Sequence, residues 1–245
     1  MKKSLYIFVA FFMLVSCKMT ERMILSEDGL IEYETEIDVT EMIGFMYPQK
    51  SIDSLKLIGQ FPIDTLISYA KLQDHHELKS KDLSEEELQL FKLMDKSYLH
   101  LEINEKLAKI TMKTDKMPWK DFNAYWDRLD KGVQNLEKAK PGSTDKLKEI
   151  GFFNSMSVKY DGKTFQRIND PRTQQTVLSD TALLGGAEMM KMLTYKMEYR
   201  FPKPIKTISI DNASFSLDRK YMWIEVTAAD MLENPEKYNF TIEFE

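Results

Sequence analysis

The chain has 245 residues, a formal charge of −5, 43% apolar residues and 30% charged ones. That balance belongs to a globular protein with material for a sizeable core, not to a disordered chain. The acidic balance points away from nucleic acid, which calls for basic patches. With one cysteine, no intramolecular disulfide can staple the fold.

The first element is MKKSLYIFVAFFMLVSC. Lys2 and Lys3 precede an apolar run, Leu5 to Val15, that falls short of the roughly 20 residues a spanning helix needs. A positive start, a short apolar core and a small residue, Ser16, before the break are those of an export signal. From the residues alone, Cys17 is a leftover thiol, half of an intermolecular disulfide, a reactive group or an attachment point. Leu14, Val15, Ser16 and Cys17 resemble the lipobox of bacterial lipoprotein precursors at all four positions. The resemblance implies cleavage between Ser16 and Cys17, with lipid added to the sulfur and the new amino group. Stable retention takes more than one acyl chain, and a cysteine of this type carries several. Lys18 stands where the inner-membrane retention signal of such lipoproteins places Asp. The resemblance therefore also implies the outer membrane, facing the periplasm. Residues 1–16 are then the leader, 17–22 a lipidated tether, and 23–245 a single soluble domain.

After the tether, Met23 to Leu25 and the alternating run Ile31, Tyr33, Thr35, Ile37, Val39 predict a hairpin, with Asp28-Gly29 in its turn. TEMIGFMYPQ reads as a short helix or covering loop. Pro62 to Leu72 is expected to be helical, with Pro62 at the first position, where its missing N–H costs nothing. Ser84 and Glu87 form a capping box, with Leu83 and Leu88 at the staple positions and Leu88, Phe91 and Met94 as the apolar stripe. Leu99, Leu101 and Ile103, then Ala108, Ile110 and Met112, predict a second hairpin that leaves His100 on the polar side. Pro118 opens the clearest helix, in which Trp119, Phe122, Tyr125, Trp126, Leu129, Val133 and Leu136 recur at steps of three and four.

The second half reads as strands. MSVKYDGKTFQRI carries Asp161-Gly162 between two short ones. Thr181 to Leu193 predicts a Met-rich helix beginning around Gly185-Gly186. Strands are expected at Tyr195 to Phe201, Ile205 to Ile210, Ala213 to Leu217, Tyr221 to Thr227 and Phe240 to Phe244, with a helical connection from Asp230 to Tyr238. Short connections between sequence neighbours make an α+β fold: an antiparallel sheet built from hairpins, with amphipathic helices packed on one face. KAKPGSTDK, 138 to 146, is the one seam, and a single domain is expected across it. The tail from Tyr199 to Glu245, with its Phe-Pro strand and Asn-Pro-Glu helix, is similar to a recurring tail of envelope lipoproteins from the Bacteroidetes group. That similarity brings a sheet with it and no catalytic residue.

The residues offer little chemistry. Asp74-His75-His76-Glu77 is the most metal-like cluster, but adjacent helix side chains point about 100° apart and only His100 remains as a further histidine. No HExxH or GxSxG occurs, and Gly185-Gly186 lacks the Lys-Ser/Thr of a phosphate loop. No catalytic residue, metal ligand or cofactor is therefore expected. Trp119, Phe122, Tyr125 and Trp126 are a candidate apolar contact surface, with core packing as the alternative. Met189, Met190 and Met192 stand in the same position. The sequence thus points to a lipid-anchored, non-enzymatic envelope protein that touches the membrane through its N-terminal lipid and binds an envelope partner. The alternative is a carrier or sensor of an apolar small molecule or lipid held between sheet and helix.

Overall fold

The computed structural model describes residues 18–42, 49–72, 84–139, 156–169 and 193–245. The expected leader with Ser16, Cys17, the Asp74–Glu77 cluster, most of the expected seam and the expected Met-rich segment through Met189, Met190 and Met192 lie outside them.

Strand β1 runs Lys18–Leu25 and pairs antiparallel with β2, Leu30–Asp38, across the expected turn. Gly29 closes that turn at φ +78°, a conformation that suits a residue without a Cβ. The strand starts earlier than the sequence suggests. Lys18 to Arg22, expected in a tether, already belong to the sheet because Met19, Glu21, Met23 and Leu25 form its inward face.

Thr40–Met42 makes one 3-10 turn, and helix α1 follows at Gln49–Leu57. The expected helix from Pro62 to Leu72 is instead strand β3, Ile63–Ser68, with helix α2 confined to Tyr69–Leu72. Ile63, Thr65 and Ile67 are β-branched residues at alternate positions and suit a strand. Pro62 stands just before the strand, where its missing N–H breaks no ladder bond. Helix α3, Glu85–Leu93, carries the capping box in both directions: Ser84 accepts from the Glu87 N–H, and the Glu87 carboxylate accepts from the Ser84 N–H.

Strands β4 (Ser97–Ile103) and β5 (Ala108–Thr114) form the second hairpin, and β6 is the short pair Met117–Pro118. Helix α4, Trp119–Ala139, buries Phe122, Tyr125, Trp126, Leu129, Val133 and Leu136. Strands β7 (Met156–Tyr160) and β8 (Thr164–Asn169) flank the Asp161-Gly162 turn, and β9 spans Thr194–Arg200. Strands β10 (Ile205–Ile208), β11 (Ser214–Phe215), β12 (Tyr221–Thr227) and β13 (Phe240–Phe244) follow. Helix α5 (Ala228–Glu233) and a 3-10 turn (Pro235–Tyr238) separate the last two.

The fold is α+β with antiparallel sheets, divided between two of them. The larger runs β11-β12-β9-β1-β2-β5-β4-β3, with β6 on β2; the smaller runs β10-β13-β8-β7. One pairing departs from the hairpin pattern: β1 lies parallel to β9, joining the start of the chain to its last third. On the inner face of the larger sheet, the smaller sheet contributes Phe165, 6.1 Å from the Tyr199 ring of β9. Helix α4 covers the β2 side, where Tyr33 meets Phe122 and Trp126 edge-on at 5.6 and 5.4 Å.

Candidate functional site

Two constellations stand out from this framework, one sealed in the core and one open to solvent. The sealed one joins the two sheets. Arg167 of β8 is fully buried and holds Glu21 of β1, also fully buried, through both guanidinium nitrogens, with Nη2 to Oε2 at 3.0 Å. Tyr195 and Tyr199 of β9 donate to the same carboxylate at 2.6 and 3.0 Å. Arg167 Nε donates to Asn169 Oδ1 at 2.9 Å, and Asn169 Nδ2 donates onward to the Pro235 carbonyl at 2.9 Å. Burial opposes the charge on Arg167, but Glu21 more than offsets it, so the guanidinium stays ionised. Burial, then Glu21, pushes the Tyr195 phenol well up; burial does the same for Tyr199. Each group in this cluster has partners, and nothing in it faces solvent. It pins one sheet to the other.

The open constellation is a cleft of about 790 Å³ at the end of the larger sheet remote from Lys18. Three turns and one helix start build it. The β1–β2 turn supplies Glu27, Asp28 and Gly29, and the β7–β8 turn supplies Tyr160, Asp161 and Gly162. Pro118 and Trp119 enter at the head of α4, and Pro202 and Lys203 follow β9. The β1–β2 turn, the head of α4 and the segment after β9 lie at one end because Leu25, Leu30, Pro118 and Arg200 share one edge of the strand register, and the β7–β8 turn of the smaller sheet meets them there.

The turns fix one another. A Cβ on Gly29 would lie 3.7 Å from the Tyr160 ring, so that ring rests against the glycine backbone. Lys203 Nζ donates to the Gly162 carbonyl at 2.9 Å. Asp161 Oδ1 accepts the N–H groups of Lys163 and Thr164 at 2.9 and 2.6 Å, and these bonds hold its carboxyl below the usual carboxylate range. The Ser26 hydroxyl does the same for Asp28. Burial pushes the Tyr160 phenol up, so it is neutral. The cleft therefore presents two half-buried aromatic rings and fixed anionic acceptors. Its volume suits a small molecule or a short chain segment.

The candidate contact residues separate here. Trp119 lines the cleft, while Phe122, Tyr125 and Trp126 are at most 5% exposed and belong to the core. Tyr125 also shares a buried hydrogen bond with Ser97. His100 pairs with Asp64 on the solvent side at 2.8 Å, as the alternation suggested. Arg167 and Glu21 escaped the sequence reading, although a signal existed. Phe165, Arg167 and Asn169 share one face of β8, and Met19, Glu21, Met23 and Leu25 share one face of β1.

Comparisons with known proteins add little. No protein-family model matches the chain, and no curated protein matches it. Among solved structures, the folded domain of the Mycobacterium tuberculosis LppM protein is similar at a TM-score of 0.40 and 8% identity, over 93% of this chain and 88% of that one. A likeness at that level assigns neither a fold family nor a role.

Proposed function

We propose that the chain is a lipid-anchored cell-envelope protein, held at the outer membrane on its periplasmic side. Its folded domain is a binding module for an envelope component. The observation that carries this reading is positional. Cys17 immediately precedes β1, a central strand of the larger sheet, and the cleft lies at the other end of that strand. Eight residues at roughly 3.3 Å each place it about 26 Å away. An anchor at one end and a cleft at the other is the layout of a protein that presents a binding surface away from its membrane.

The cleft offers fixed acceptors for a ligand's donors. Asp28 and Asp161 are held ionised by their own turns, so neither is a proton donor near neutral pH. The rings of Phe122, Tyr125 and Trp126 are engaged with one another and, for two of them, with Tyr33. This weighs against an apolar ligand carried between α4 and the sheet.

Two measurements test the proposal. Cys17→Ala is expected to abolish incorporation of labelled fatty acid and release the protein from membranes; retention with undiminished label contradicts it. A photo-crosslinking residue in place of Trp119 is expected to give a discrete adduct in intact cells. The same residue in place of exposed Lys131 on α4 should give none.

A further inference from the structure

We infer that the Cys17 end of the fold lies on the bilayer, with Leu57 and Ile58 as a second, non-covalent contact beside the acylated cysteine. The inference rests on the anchoring proposed above and adds the surface that meets the lipid.

The register places the groups. Lys18 pairs with Asp38, Asp38 with Lys109, Ala108 with Ile103, and Ile103 with Ile63. The beginnings of β1, β5 and β3 and the ends of β2 and β4 therefore share one end of the larger sheet. Helix α1 terminates there too. Its Lys56 pairs with Glu105 in the β4–β5 turn, and its chain enters β3 a few residues later. Cys17 is covalently next to Lys18, so no free linker separates an acyl anchor from this end.

Leu57 and Ile58 are 88% and 63% exposed. They are two of only four large hydrophobic residues exposed among the described residues, and they are consecutive. Gly59, at φ +68°, ends the helix just behind them, with Gln60 N–H bonded back to the Leu55 carbonyl. The helix end is satisfied internally, so the two side chains project without any role in closing it. Several of the neighbouring charges are paired: Lys56 with Glu105, and Lys109 with Glu36 and Asp38. Four strand spacings of about 4.8 Å, roughly 19 Å, separate β1 from β3, the strand that Leu57 and Ile58 lead into. A lipid chain alone lets a domain swivel; a second apolar contact at that distance sets the strands upright on the bilayer and turns the cleft away from it. Aliphatic side chains exposed beside an anchor meet hydrocarbon, which favours them over water.

The chain has a single cysteine, and acylation occupies it, so an introduced thiol can be labelled alone. Leu57→Cys carries an environment-sensitive fluorophore, and Leu217→Cys, in the fully exposed β11–β12 turn at the far end, is the control. The acylated, full-length mature protein is placed in phosphatidylethanolamine–phosphatidylglycerol vesicles containing nitroxide-labelled lipid. The label at 57 should blue-shift and quench several-fold more than the label at 217. Equal quenching at both sites in protein shown by mass to be acylated overturns the inference alone. So does a label at 57 that is immobilised yet unquenched, which would mark a protein partner on this tip. Absence of acyl chains from Cys17 overturns the anchoring and the inference together.

Discussion

The two ends of the larger sheet are built by opposite means. At the Cys17 end, Leu57 and Ile58 stand almost free in water, backed by a helix whose terminus is complete without them. At the cleft end, Trp119 and Tyr160 are half-buried; a glycine contact and a lysine–carbonyl bond tie turn to turn, and aspartate caps close the turns themselves. Exposed apolar groups that do nothing for the fold are available to something outside it. Groups locked by their neighbours hold a shape. What keeps the two ends in fixed relation is β1, whose inward Glu21 fastens the sheet to Arg167 of the smaller one.

The strongest way to break that relation is Arg167→Met. It strands the buried Glu21 carboxylate, and loss of one partner of such a pair costs about 3–5 kcal/mol. Urea unfolding should show both ends destabilised together. A loss under about 1 kcal/mol would mean the sheets are not held by this pair.

Acid should act more gently, and on the outer face. Burial pushes the Glu198 carboxyl up, but bonds from Lys196, Tyr221 and Arg22 outweigh it and hold it down at about 2. A carboxyl depressed in the folded state adds stability that is complete above its unfolded value near 4.5 and disappears as pH falls towards 2. Melting temperature should therefore drop across that window in the wild type. In Glu198→Gln the drop should be smaller.

At the two ends themselves, single substitutions should differ. Gly29→Ala forces a side chain into a left-handed turn and should cost about 1–2 kcal/mol. Leu57→Ser should leave stability within about 0.5 kcal/mol of wild type, because the side chain it removes touches so little. Equal costs at both positions would erase the distinction between a held end and a free one.

What was legible in the sequence was local. The Ser84–Glu87 capping box, the Asp28-Gly29 and Asp161-Gly162 turns, the period of α4 and the strands Tyr221–Thr227 and Phe240–Phe244 depend on neighbours a few residues away. The β1–β9 pairing joins residues more than 170 positions apart, and no period announces it. Division into two sheets is equally non-local. At Pro62 to Leu72 a local rule failed outright: a proline that suits a helix start also suits a strand entry, and pairing with β4 decided between them. The charged core pair was hidden because Arg167 and Glu21 look like surface residues until Phe165 and Met23 are seen to share their faces. Of the candidate site, only Trp119 was legible as a contact residue; Asp28, Gly29, Pro118, Asp161 and Gly162 read only as turn or helix-start residues. The other lining residues come from turns brought together by pairings that the sequence does not display.

The most direct test is the intact mass of the mature protein from membranes. The expected result is a chain beginning at Cys17 that carries several acyl groups on its sulfur and amino terminus. A chain that retains the leader, or one cleaved elsewhere with an unmodified thiol, would contradict it.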